Sequence, residues 1–416
     1  MKRTAGEEWR AHWGLVAAAM VGLSFGAIPA ATLGLFMEPL EAEFGWSRAM
    51  ISGGMMVFAL IGLPLTPFAG ALADKIGSRA CVIPGLALSG LAFAGFGLMT
   101  GAAWMWWMLW VAYGLSSLLI RSMIWNAAVS AAFSASRGLA IAFVLSGFAL
   151  AQVVGPPLAH FLIEAFDWRV AYFAIGIGWP AVGLLLTMLF FRSNLDRKAA
   201  QAKASGNPGP ATSRANGLTL GEAARDQRIV RIGLALFLST LMGAAISIHL
   251  VPLLEWSGSN RTAAAGLAGM LGIGSFAGKI LSGILIDRIR SGLLPAAIFA
   301  LPALGYFLIW QGHGSFAILA AGVLCMGFGS GGALQVGTYL TTRYGGLANF
   351  GKIFGVISSA IALGGGIAPV TSGWIYDTTG SYALVLTVAV PVVLLAGLLL
   401  LGLGDYPDYD AKEQEP

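Results

Sequence analysis

Gly70-Ala71-Leu72-Ala73-Asp74-Lys75-Ile76-Gly77-Ser78-Arg79 and Gly283-Ile284-Leu285-Ile286-Asp287-Arg288-Ile289-Arg290-Ser291-Gly292 are two versions of one signature, set about half the chain apart. In each, a glycine stands four residues before an aspartate and a cation follows at once. Each copy closes an apolar run of helix length and precedes another. A signature repeated at this separation means that the chain is built twice over, from two halves of like organisation.

What the halves are made of follows from composition. Of 416 residues, 57% are hydrophobic and 10% charged, with a mean hydropathy of +0.79. Soluble domains carry about a quarter of their residues as charges, so this chain has too little polar surface to cover a water-soluble core. A polytopic helical membrane protein is the class that remains, with the lipid bilayer as its first partner. The 58 glycines are spread through the apolar segments, as expected where small residues let helices approach in lipid. The net charge of +5 follows loop topology and points to no nucleic acid. Cys81 and Cys325 are the only cysteines, so there is no disulfide framework, and neither has a metal-ligating neighbour. Met1 to His12 is short and charged and leads into a full apolar run, the form of a tail before a first span rather than a cleaved leader.

At about 20 to 28 residues per span, twelve spans are expected: 12–37, 47–73, 80–101, 103–132, 137–164, 170–191, 228–254, 262–286, 292–312, 315–342, 350–376 and 381–404. Between the sixth and seventh lies the one long hydrophilic stretch, with Asn207-Pro208-Gly209-Pro210 at its middle. The expected plan is an all-α membrane protein of two pseudo-symmetric six-helix bundles, 1–191 and 228–404. A cytoplasmic linker, 192–227, joins them, and 405–416 forms an acidic tail. Sorting the 24 lysines and arginines with both termini inside puts nineteen on the inner side and only Arg48, Arg169 and Arg261 on the outer. That bias supports the count and the sense of insertion. Arg121 and Lys279 remain, inside spans.

A duplicated bundle with equivalent basic loops in its halves is the plan of a secondary transporter. The repeated signature resembles the loop motif of the major facilitator superfamily. The resemblance implies a latch that forms in one access state, built on Gly70, Asp74 and Arg79 in the first copy and Gly283 and Asp287 in the second. Within that superfamily other stretches look like the monocarboxylate and oxalate/formate branch: Glu43-Phe44-Gly45-Trp46-Ser47-Arg48, His249-Leu250-Val251-Pro252-Leu253-Leu254, Phe350-Gly351-Lys352-Ile353-Phe354-Gly355 and Asp377-Thr378-Thr379-Gly380-Ser381-Tyr382. The resemblance implies a cation in span eight that grips a substrate carboxylate. The branch usually has arginine there; the matching position here is Lys279. The acidic residue expected one turn earlier is Ser275, and the lysine that follows the span-one proline in animal members is Ala30. Two groups associated with proton handling are therefore missing.

Arg121 has Ser117 and Trp125 at helical spacing and Asn126 beside it, so these would share one face of a continuous span four. Arg121 and Lys279 lie at similar depth in opposite halves, which suits a site at the interface between repeats. A cation at a span centre costs roughly 2.5–3.5 kcal/mol, so each needs a partner or a wet cavity, and two such cations favour an anionic substrate. Gln335 and Tyr339, one turn apart in span ten, are candidates to line the cavity, with interhelical hydrogen bonding the alternative. His249 and His160 are the histidines inside spans. Either could titrate, with His249 the candidate for proton coupling, or serve as a polar packing residue. Trp104, Trp106, Trp107 and Trp110 read as an interfacial belt. Gly147, Gly155, Pro156 and Pro157 in span five resemble the glycine-proline element of many exchangers.

No enzyme constellation, metal site or cofactor is expected: the chain has no Gly-x-Ser-x-Gly, no phosphate-cradling loop and no paired acids within a span. The expectation is a monomeric carrier of small organic anions, foremost monocarboxylates, in a plasma (bacterial inner) membrane. Its rivals are an oxalate/formate-like anion exchanger, an exporter of drug-like or apolar solutes, and a non-transporting sensor on a transporter scaffold.

Overall fold

The computed structural model describes residues 4–191, 217–289, 292–346 and 348–407, helical throughout apart from turns, loops and one isolated bridge between Gly217 and Gly346. Among these residues eleven helical stretches are long and apolar enough to cross a membrane, and Ala383–Leu398, of 16 residues, is a shorter apolar helix. They match the twelve expected spans one for one. Of the expected linker and tail, 192–216 and 408–416 lie outside the described residues. The described end of the linker carries a short capped helix, Leu220–Ala223. The chain divides into two compact units, Met1–Trp46 with Ile51–Gly209 and Ser47–Met50 with Pro210–Pro416.

In the first unit, span one is longer than its apolar stretch. Helix Ala5–Phe25 breaks at Gly26 and resumes as Ile28–Phe44 with Pro29 in its first turn. Proline is tolerated there because that N–H has no intrahelical acceptor. Thr4 and Glu7 close a capping box that starts the helix before the apolar run begins. Glu8, which hydropathy assigns to a solvated tail, is buried at 2% exposure. Its carboxylate accepts from the main-chain N–H groups of Ser134, Ala135 and Ser136 at 2.9, 3.0 and 3.2 Å and from both serine hydroxyls. These amides open helix Arg137–Leu145, where a carboxylate is favoured. Glu8 thus ties span one to the loop between spans four and five. Glu8→Ala would strand three main-chain donors and two hydroxyls, and the expected result is a melting temperature in detergent several degrees below wild type, with Glu8→Gln intermediate.

Helix Ala103–Ser117 corrects the expected tryptophan belt at two of its four positions, Trp106 and Trp110. Trp106, Trp110, Tyr113, Gly114 and Ser117 form its buried stripe at helical spacing. Trp106 and Trp110 are 0% and 2% exposed and pack edge-on against each other and Phe96, while Trp104 and Trp107 face outward. At the end of span one, Glu43 pairs with Arg169 through both carboxylate oxygens at 2.7 and 2.5 Å and accepts from the Trp168 indole at 2.8 Å.

In the second unit the core draws on helices Gln227–Ser247, Leu293–Trp310, Phe316–Gly345 and Ala383–Leu398, with Ile232, Leu236, Phe299 and Val336 buried. Spans eight and ten meet backbone to backbone. A Cβ on Gly278 would lie 2.1 Å from the Phe328 carbonyl, and one on Gly331 would lie 2.1 Å from the Ser275 carbonyl. Only glycine fits at either place, and this contact fixes the helix that carries Lys279.

Candidate functional site

Span four is not one helix. Ala103–Ser117 tightens into a single 3₁₀ turn, Leu118–Ile120, then Arg121 takes an extended conformation at φ −63° and ψ 150°, and helix Ser122–Ala132 begins. The face expected for Ser117, Arg121 and Trp125 is therefore not formed. Ser117 is buried and its hydroxyl donates to the Gly114 carbonyl at 3.0 Å. Trp125 is buried, its ring lies against Gly22, and its indole N–H donates to the Ile120 carbonyl at 3.1 Å. That last bond takes up a carbonyl at the break, so Trp125 secures the discontinuity. Asn126 has a buried side-chain oxygen without a hydrogen-bond partner among the described residues.

Arg121 emerges from the break half-buried. Its Cζ stands 4.7 Å from the centre of the Phe58 ring, and Nη2 fills the space above Gly62, where a Cβ would lie only 2.4 Å away. Among the described residues its guanidinium makes no hydrogen bond, and Nε is shielded from solvent as well. A half-buried cation whose Nε is shielded and unfilled is costly. The ring contact, worth about 0.5–2 kcal/mol, returns only part of that. A guanidinium can bind a planar anion with paired acceptor oxygens through two parallel N–H bonds.

In the second unit, Ser275, Lys279 and Gly283 follow at one-turn intervals along helix Arg261–Arg288. Ser275 and Lys279 are half-buried. The Ser282 hydroxyl donates to the Lys279 carbonyl at 3.4 Å. Gln335 is exposed on Phe316–Gly345 with its Nε2 4.0 Å from where a Gly283 Cβ would lie, so it stands beside the turn after Lys279. Tyr339 goes elsewhere. Its ring meets Tyr406 at 6.4 Å and the Arg343 guanidinium at 5.9 Å, which ties it to the C-terminal segment.

His249 sits at a joint in span seven, between Gln227–Ser247 and Leu250–Trp256. It is wholly buried, with Nδ1 2.9 Å from the Tyr382 hydroxyl and Nε2 2.9 Å from the Pro369 carbonyl. Segment Ser47–Met50 belongs to this unit. The Arg48 guanidinium donates to Tyr382 at 2.8 Å and covers the Tyr376 ring at 3.7 Å, while the Arg48 and Ala49 amides donate to the Asp377 carboxylate at 2.9 Å each. Three stretches that carry the branch resemblance thus converge on Tyr382. No spacing in the sequence brings them together.

The signature copies both close a helix, Arg48–Ile76 in the first and Arg261–Arg288 in the second. Gly70 makes room for the tip of Met123, Asp74 is exposed in the last turn, and the Arg79 guanidinium donates to the Phe191 carbonyl. The Asp287 side chain lies outside what the structure describes.

The chain matches the Major Facilitator Superfamily profile over residues 14–310 and 263–416. It is 26% identical over 432 residues to monocarboxylate transporter 11 of Mus musculus, covering 94% of this chain and 87% of that protein. Against monocarboxylate transporter 13 of Bos taurus it is 25% identical over 409 residues, 92% of this chain and 87% of the other. Against the 4-hydroxybenzoate transporter PcaK of Acinetobacter baylyi it is 22% identical over 396 residues, 81% of this chain and 82% of the other.

Proposed function

The chain belongs to the Major Facilitator Superfamily, a transporter and not an enzyme, and on that premise we propose that it carries small monocarboxylates by alternating access. The observation that carries the reading is the Arg121 guanidinium, half-buried within a span, with Nε shielded, and without a hydrogen bond among the described residues. Lys279 is the second cation of this reading, with Ser275 one turn before it on the same helix and Gln335 beside the turn that follows it, and Asn126 is a further polar residue of the first unit. The names of the relatives support the substrate class, because 4-hydroxybenzoate is itself a monocarboxylate. The protein acts as a monomer in a bacterial plasma membrane with both termini cytoplasmic, the sense that nineteen inner cations against three outer ones favours.

Coupling follows from what the spans lack. Ser275 stands where the branch has an acid, Ala30 where animal members have a lysine, and both nitrogens of His249 are engaged by Tyr382 and Pro369. Exchange of one anion for another needs none of these groups to titrate. The test is uptake of labelled lactate, pyruvate, benzoate and 4-hydroxybenzoate into proteoliposomes, with internal anion or with a pH gradient. Exchange at least as fast as pH-driven net uptake is the expected result. Strong pH-driven accumulation, indifferent to internal anion and to replacement of His160 and His249, would defeat the exchange reading. Transport of none of the four would defeat the substrate class.

A further inference from the structure

Phe58 and Gly62 lie one turn apart on helix Arg48–Ile76, and both meet the Arg121 guanidinium. Phe58 covers a face of the group at 4.7 Å. Gly62 leaves empty the volume that Nη2 enters. Neither contact is a hydrogen bond, so neither takes up a donor of the guanidinium, and the Nη groups are free to bond a ligand while the position of the group is fixed from the side and from the face. A long arginine side chain carries considerable rotamer entropy, and a ligand that had to order it would bind more weakly. Holding the group in place by shape and ring contact removes that cost without using up a donor.

We infer that Phe58 and Gly62 are positioning residues for carboxylate recognition: they seat the Arg121 guanidinium so that its N–H edge is presented to the substrate. The inference rests on the reading of Arg121 as the carboxylate anchor. Its energetics separate it from a folding role. The three atoms nearest to a methyl group at position 62 all belong to Arg121: Nη2 2.4 Å away, Cζ 3.3 Å away and Nη1 3.7 Å away. These atoms are the far end of a flexible side chain, so the clash is relieved by moving the guanidinium rather than the helices. The helix itself gains from the exchange, since alanine is the better helix former. Gly62→Ala therefore displaces the anchor in a protein that still folds.

The experiment is a double-mutant cycle on proteoliposome uptake, read as KM and maximal rate for the best-transported of lactate, pyruvate, benzoate and 4-hydroxybenzoate. Gly62→Ala is expected to raise KM about tenfold with the maximal rate within about twofold and the melting temperature in detergent unchanged. Phe58→Leu, which keeps apolar volume and loses the ring, is expected to raise KM roughly threefold to fivefold. Arg121→Lys raises KM by itself, and Gly62→Ala added to it has little further effect, because the slimmer ammonium no longer occupies the seat. Additive losses in the double variant would overturn the inference, since Gly62 would then act independently of Arg121. An unchanged KM in both Gly62→Ala and Phe58→Leu, with affinity lost in Arg121→Gln, would overturn the seat and leave the anchor standing. An unchanged KM in Arg121→Gln would remove the anchor and the seat together. Should Gly62→Ala fail to assemble, Phe58→Leu combined with Arg121→Lys carries the same cycle.

Discussion

Arg121→Gln is expected to raise KM for monocarboxylates roughly a hundredfold while the protein becomes no less stable. The loss follows from two charge-assisted hydrogen bonds, each worth about 1.5–3 kcal/mol, partly replaced by the weaker amide. About 3 kcal/mol is then lost from binding, or two decades in affinity. Stability moves the other way because Arg121 donates no hydrogen bond among the described residues that its removal would break. The variant sheds instead a cation whose placement within a span costs roughly 2.5–3.5 kcal/mol. A residue that weakens the fold and serves the ligand gives this opposed pair of signs. The loss should be larger for a dianion than for a monoanion, since a cation is removed from the path of the second charge. Uptake kinetics and a melting curve in detergent check both halves. A lower melting temperature with unchanged KM would make Arg121 a structural residue.

Arg121 also marks where sequence reading stops. Its presence in an apolar run is plain, but the run from Leu115 to Asn126 has no glycine or proline to signal a break, so helical spacing assigns it the face of Ser117 and Trp125. The discontinuity is made by tertiary contacts, with the Trp125 indole holding the Ile120 carbonyl and its ring set against Gly22 of another span. Trp106 and Trp110 are lost to the same limit. A tryptophan cluster reads as an interface belt until the inward stripe of its helix is known. Glu8 is the plainest case: hydropathy excludes it from the span, and only the fold brings the three amides of Ser134 to Ser136 around it. By contrast, the span count, the duplicated signature and the two intramembrane cations are legible. They depend on composition and charge along the chain, which no packing detail alters.

Lys279→Gln is expected to reduce transport to less than about a tenth of wild type, and Lys279→Arg to retain a substantial fraction. Lys279 is half-buried on a helix whose place is fixed by the backbone contacts of Gly278 with Phe328 and of Gly331 with Ser275. The helix therefore cannot shift to bring another cation to the place of Lys279 when its charge is removed. The arginine variant also tells whether the residue only holds charge or gives up a proton during the cycle. Arginine stays charged under all working conditions, so a cycle that needs Lys279 to release a proton would stop in Lys279→Arg under a pH gradient while anion exchange continued. A cycle that needs only the charge would lose both activities in the same proportion. The second outcome is expected, because exchange requires a cation that neutralises each carboxylate in turn and nothing more. Normal uptake by Lys279→Gln would remove the residue from the site. Selective loss of pH-driven uptake in Lys279→Arg would make Lys279 the proton carrier that Ser275 and Ala30 cannot be.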